Sequence, residues 1–125
     1  MYNSQAGQDI FVNTCLKNKE NGYFIEIGSG HYKIHNNTYF FEKNLNWKGL
    51  LIDYDENNEK NYIQFRRNSN FIINDANKIN YLEELSKLNF PNNIDYLQID
   101  HEVSNGSTIQ VLTYFDNFIF TKYKF

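Results

Sequence analysis

Four acids and two glycines carry most of the chemistry available to this chain. Glu26 stands near the end of the run Tyr23-Phe24-Ile25-Glu26-Ile27, and Gly28 and Gly30 flank Ser29 just after it. Glycine there lets the backbone turn sharply and lets a ligand approach the main chain without a Cβ in the way. A carboxylate beside such a turn repels phosphate and suits hydroxyls or positive charge. Burying Glu26 inside an apolar run is costly unless a cationic ligand or a ring of backbone N–H donors pairs with it. Asp53, Asp75 and Asp100 each follow a later apolar run. Asp53 lies roughly 20 to 25 residues past the glycine turn, where an acid accepts from ribose hydroxyls in nucleotide-binding α/β folds. Asp75, followed by the small Ala76, suits an adenine amino group, and a helix cap equally well. Asp100 suits the far end of such a ligand, a substrate or a metal, although Asp100-x-Glu102 alone is too short to define a metal site. His31, His35 and His101 are polar loop residues near the same rim, and nothing in their spacing selects a general base.

The elements that position these acids alternate in type. A helix is expected over Ser4–Asn18, with Ile10, Phe11, Cys15 and Leu16 on a broad apolar face. Strands are expected at Tyr23–Ile27, Leu50–Asp53, Phe71–Ile73, Ile94–Ile99 and Phe118–Tyr123. Between them, helices are expected over Thr38–Leu45 with Asn37 or Thr38 as N-cap, and from Asp55-Glu56 to the Arg66-Arg67 pair. A third runs from Asn77 through Ile79, Leu82, Leu85 and Leu88, and a fourth over Ser107–Phe115. Strands alternating with helices predict a doubly wound, mostly parallel α/β sheet of order 3-2-1-4-5, Rossmann-like, with an added N-terminal helix. Glu26, Asp53, Asp75 and Asp100 then fall at or just past four consecutive strand ends, where such sheets bind ligands.

Bulk composition narrows the partners. One domain and one core fit 125 residues, and 41% hydrophobic content with 18% aromatics is globular. The formal charge of -3 disfavours nucleic acid and anionic membranes as partners. The lone Cys15 excludes an intrachain disulfide and reads as a small core residue. No leader-like or membrane-length apolar run is present, so a cytoplasmic location is expected. The Gly-x-x-x-x-Gly-Lys-Ser/Thr and Gly-x-Ser-x-Gly motifs are both missing. A dinucleotide fingerprint fails at Lys33, where its last glycine belongs. S-adenosylmethionine, with a sulfonium, an amine and ribose hydroxyls but no phosphate, fits this cradle better than a nicotinamide dinucleotide.

The motifs, in order, resemble the FkbM-type S-adenosylmethionine-dependent methyltransferases. Ser4-Gln5-Ala6-Gly7-Gln8-Asp9 resembles that family's Ser-Gln-x-Gly-Gln-Asp opening, and Phe24 through Gly30 resembles its motif I. Asn37-Thr38-Tyr39 is similar to its Ser-Asn-Thr-x stretch. Glu42-Lys43 with Trp47 through Asp53 resembles its Glu-Lys…Trp-x-Gly-Leu-Leu-Ile-Glu block, and Ile94 through Glu102 its Ile-Asp-Tyr-Leu-Ser-Ile-Asp-x-Glu segment. The resemblance implies a class I methyltransferase fold and methyl transfer to a hydroxyl of a sugar or small metabolite. Glu26, Gly28 and Gly30 would hold the methionine part of the cofactor, Asp53 the ribose and Asp75 the adenine side. Asp100 and Glu102 would face the reaction, with His101 or Asp100 taking the hydroxyl proton.

The family's usual seven strands imply that strands six and seven are missing. Strand five would then be an aromatic edge open to self-association. That shortening, and Val103-Ser104-Asn105-Gly106 in place of Gly-Ser-Glu, support an alternative reading. In it the chain is a catalytically inactive, cofactor-binding or assembly module.

Overall fold

A computed structural model describes residues 1–100 and 106–125. Its strands are β1 (Tyr23–Ile27), β2 (Lys48–Asp53), β3 (Asn70–Ile73) and β4 (Tyr96–Ile99). Its helices are α1 (Gln8–Cys15), α2 (Tyr39–Leu45), α3 (Glu59–Phe65), α4 (Tyr81–Lys87) and α5 (Ser107–Tyr114). The four strands form one parallel sheet of order β3-β2-β1-β4. This α/β arrangement is compatible with a Rossmann-like fold. Parallel strands need crossovers, and the connecting helices cover both faces, so β1 is almost wholly buried.

Side chains alternate across β1. Ile25 and Ile27 join Leu50, Ile52, Ile79, Leu85, Val111, Phe115 and Ile119 on one face. Phe24 joins Phe41, Trp47, Leu51 and Tyr62 on the other. Register explains Gly49. It lies opposite Phe24, and a Cβ on it would sit 2.1 Å from the Phe24 ring.

Two sequence expectations are corrected. The sheet has four strands rather than five, because the segment expected as strand five begins in a π-helical turn and continues as turn backbone. Chain after α5 continues as a π-helical turn over Phe115–Ile119. Val111, Phe115, Ile119 and Tyr123 recur every four residues and are all buried, a spacing that the widened i→i+5 turn keeps on one face. Only at Lys124 does the chain run beside the approach to β4, in an isolated parallel bridge to Asn93. The edge expected at Phe118–Tyr123 is therefore not a strand edge.

Helix α1 is shorter than expected and turned over. It buries Asp9 and Asn13, while Ile10 and Phe11 are 48% and 70% exposed and Cys15 is exposed, not a core residue. The cause is local hydrogen bonding. The Asp9 carboxylate accepts from the backbone of Asn3, Ser4 and Ile10 and from the Ser4 hydroxyl, and Asn13 donates to Tyr2 and Asn18. With Asp9 fully paired and both Asn13 N–H groups used, though Asn13 Oδ1 has no partner, the polar face can turn inward. No helix among the described residues is long and apolar enough to cross a membrane.

Candidate functional site

The rim at the carboxyl ends of β1, β2 and β4 is assembled by backbone register. Gly28 N–H and Ser29 N–H both donate to Ile52 O, at 2.8 and 3.0 Å. Asp100 N–H donates to Ile27 O and Asn74 N–H to Asp53 O, each at 2.9 Å. The glycine turn therefore sits between Asp53 and Asp100, at the switch point of the strand order. Gly28 and Gly30 have φ of 81° and 61°, the left-handed region that glycine enters without strain. Open space surrounds Gly30 where a Cβ would stand. With the Gly28 and Ser29 amides turned inward onto Ile52, the loop does not offer them to a phosphate.

Tyr62 fastens this loop. Its hydroxyl bonds Gly30 O, lies 2.9 Å from Ser29 Oγ and reaches Asp53 Oδ2 at 3.2 Å. Asp53 accepts from Tyr54 N–H and from Asn58 Nδ2, which orient it, and it shares the single Tyr62 phenol proton with Gly30 O; it stays half-buried at the rim. Burial raises the Tyr62 phenol, and neighbouring Asp53 adds to the shift, so the group stays a neutral donor.

Glu26 does not reach the rim. It is 1% exposed, and the pairing its burial demands comes from within the chain. Asn36 Nδ2 and Thr38 Oγ1 donate to Oε1 at 2.9 and 3.0 Å, and Asn37 N–H donates to Oε2 at 3.3 Å. Desolvation raises its pKa to about 7; Arg66 and these three donors oppose the rise without cancelling it. Asn36 also donates to Ser29 O, so Glu26 and Asn36 brace the glycine loop from beneath. Asn36 Oδ1 accepts from Thr38 N–H and Tyr39 N–H, which makes Asn36, rather than Asn37 or Thr38, the side chain that caps α2.

Behind this layer lies an ion pair the sequence reading passed over. Arg66 Nε donates to Glu42 Oε2 at 2.6 Å with both side chains nearly inaccessible. The remaining guanidinium nitrogens reach Tyr32 O, Asn36 Oδ1 and Thr38 Oγ1. Glu42 also accepts from Ser69 Oγ and Asn68 N–H. Arg66 ends α3 as its C-cap, with its N–H donating to Tyr62 O, so the last turn of that helix serves both the loop and the ion pair. The signal for this was a strand acid needing a partner and a tyrosine and arginine at i, i+4 spacing.

The other candidates separate. Asp75 accepts from Asn77 N–H as the cap of a short 3-10 turn, and it lines a cleft of about 650 Å³ with Tyr54, Asp55, Asn57 and Ile73. Ala76 is buried. Asp100 is exposed. His31 Nδ1 accepts from Lys33 and Ile34 N–H, so that ring serves its own loop, and the His35 backbone pairs with Ser4 in an isolated bridge. His101 and Glu102 lie outside the described residues. The structure thus brings Gly28, Gly30, Asp53 and Asp100 to one rim, sets Asp75 in the neighbouring cleft and places Glu26 beneath. No family model, curated protein or solved structure matches the chain.

Proposed function

We propose that this chain is an S-adenosylmethionine-dependent methyltransferase acting on a hydroxyl of a sugar or other small metabolite. The observation that carries the reading is the open glycine turn at the switch point, its first two amides turned inward, with Asp53 beside it. The cleft of about 650 Å³ past β2 and β3 is roomy enough for a nucleoside and has acids rather than cations along it. Gly28 and Gly30 would let the methionine part approach the backbone, Asp53 would accept from the ribose, and Asp75 would meet the adenine side. When bound, the cofactor supplies an electrophilic methyl on a sulfonium. The chain's part is to align the acceptor hydroxyl, exclude water and receive its proton, a role that the resemblance would give to Asp100, His101 or Glu102. Glu26 acts one layer down, holding the loop through Asn36.

Titration calorimetry with S-adenosylhomocysteine tests this reading. Glu26→Ala is a poor control, since it empties a buried polar site. Gly30→Asn is better, because Asn tolerates φ near 61° and puts its side chain into the open rim. Expected is binding that Gly30→Asn weakens by about tenfold or more, roughly 1.4 kcal/mol, with folding unchanged. A folded wild-type chain that binds neither S-adenosylhomocysteine nor S-adenosylmethionine would falsify the methyltransferase reading. Binding without methyl transfer to any hydroxyl acceptor would leave the cofactor-binding module in its place.

A further inference from the structure

The groove between α2 and α3, on the outer side of the Arg66–Glu42 pair, encloses about 510 Å³, within the range of small-ligand sites. The geometry points to a binding site for an anionic sugar, a sugar ring bearing a carboxylate or a phosphate. The inference does not rest on methyl transfer, and the groove shares no residue with the rim.

Charge supports the anion. Arg66 is matched by Glu42, whose two oxygens are taken by Arg66, Ser69 and Asn68. Lys43 and Arg67 also line the groove, both are exposed, and neither makes an ion pair among the described residues. Arg67 Nε donates to Gln64 O, which leaves its terminal nitrogens as a fork toward solvent. The C-terminal ends of α2 and α3 offset part of this charge, roughly half a unit each. Two unpaired cations still leave the groove positive on a chain whose net charge is -3.

The ring and hydroxyls follow from the other walls. Tyr39 and Phe65 line the groove; Arg66 and Lys33 lie over the Tyr39 ring and Phe65 stacks on Tyr32, so the exposed side of Phe65 is the aromatic surface against which the C–H face of a sugar can lie. Among the amides, Asn44 and Asn68 each commit one side-chain N–H, to Phe40 O and Asn46 Oδ1, which leaves each with a second N–H and its carbonyl. Gln64 keeps donor and acceptor. A hydroxyl, itself donor and acceptor, matches this mixture; an aliphatic acid would leave the amides unused.

Amide-resolved NMR titration of the full chain provides the test, with glucuronate, glucose 6-phosphate, glucose and inorganic phosphate as probes. Expected are saturable shifts centred on Asn44, Gln64 and Asn68 with at least one of the two anionic sugars. Glucose and phosphate alone should bind about tenfold or more weakly. A Lys43→Ala/Arg67→Ala chain, altered only at exposed positions, should keep its fold and lose the response by a similar factor. Equal response to glucose, or to phosphate without a ring, overturns the proposal, as does no saturable shift with either anionic sugar. Whichever sugar binds tells carboxylate from phosphate, and cofactor titration at the rim reads out separately.

Discussion

On one face of the sheet, Ile25, Ile27, Leu50 and Ile52 meet α4, α5 and the π turn through aliphatic and aromatic contacts. On the other, Phe24, Leu51 and Trp47 share the interior with Glu26, Glu42 and Arg66. The first face follows the ordinary logic of burial and has no buried ionised group among the described residues. The second spends interior volume on charges, which are costly to desolvate and return stability only when every partner is present. The partners of Glu26 and the outer bonds of Arg66 fall on the segment between Gly28 and Tyr39, while Glu42 is held by Arg66, Asn68 and Ser69. The contrast teaches that the apolar face keeps the chain folded, while the polar face holds one loop in one shape.

The largest test removes the guanidinium. Arg66→Ala should cost about 3–5 kcal/mol in denaturant unfolding, since it leaves Glu42 buried and unpaired. Phe115→Ala on the opposite face should cost a similar amount, about 3–5 kcal/mol, through lost contact and a cavity. The two faces part company in rescue. Replacing the pair together, Arg66→Met with Glu42→Leu, should recover much of the loss. If the double variant is no more stable than Arg66→Ala, the polar face is not behaving as a paired network.

The next test is pH. The Glu26 pKa rises from 4.5 to about 7 on folding, so between those values the native state binds more protons than the unfolded one. Stability from this group is fully present below 4.5 and is lost as pH climbs through about 7, a fall of about 3 kcal/mol at most. Glu26→Gln should flatten that part of the stability profile. Substitutions on the apolar face, such as Leu85→Ala, should shift the whole profile without changing its slope.

The smallest effect distinguishes the faces most finely. Tyr62→Phe deletes one hydroxyl at the rim and should cost about 1 kcal/mol, close to the ~1 kcal/mol of Ile27→Val. Hydrogen exchange separates them. Tyr62→Phe should speed exchange at the Ser29 and Gly30 amides beyond what its global stability loss explains, and Ile27→Val should not.

Much of the architecture was legible because it is written in local patterns. Apolar runs ending in acids located β1 to β4, and their alternation with helical segments implied the parallel order around β1. The misreadings came where two periods compete. Phe118–Tyr123 is aromatic enough for a strand, but the four-residue recurrence of Val111, Phe115, Ile119 and Tyr123 belongs to a helix with one widened turn. In α1 the apolar count pointed to the wrong face, because satisfied hydrogen bonds around Asp9 made the polar face the one to bury.

The sequence by itself determined the glycine turn after β1, the acids at the strand ends and the strands that carry them, since each depends on neighbours a few residues away. Tertiary structure alone decided that Glu26 faces inward, that Asn36 joins it to Ser29, and that Arg66 pairs with Glu42. A buried charge announces that it needs a partner, but the partner is chosen by whichever donors the fold brings within about 3 Å. Here those donors come from the loop between β1 and α2 and from the stretch between α3 and β3, whose meeting depends on how the helices pack on the sheet.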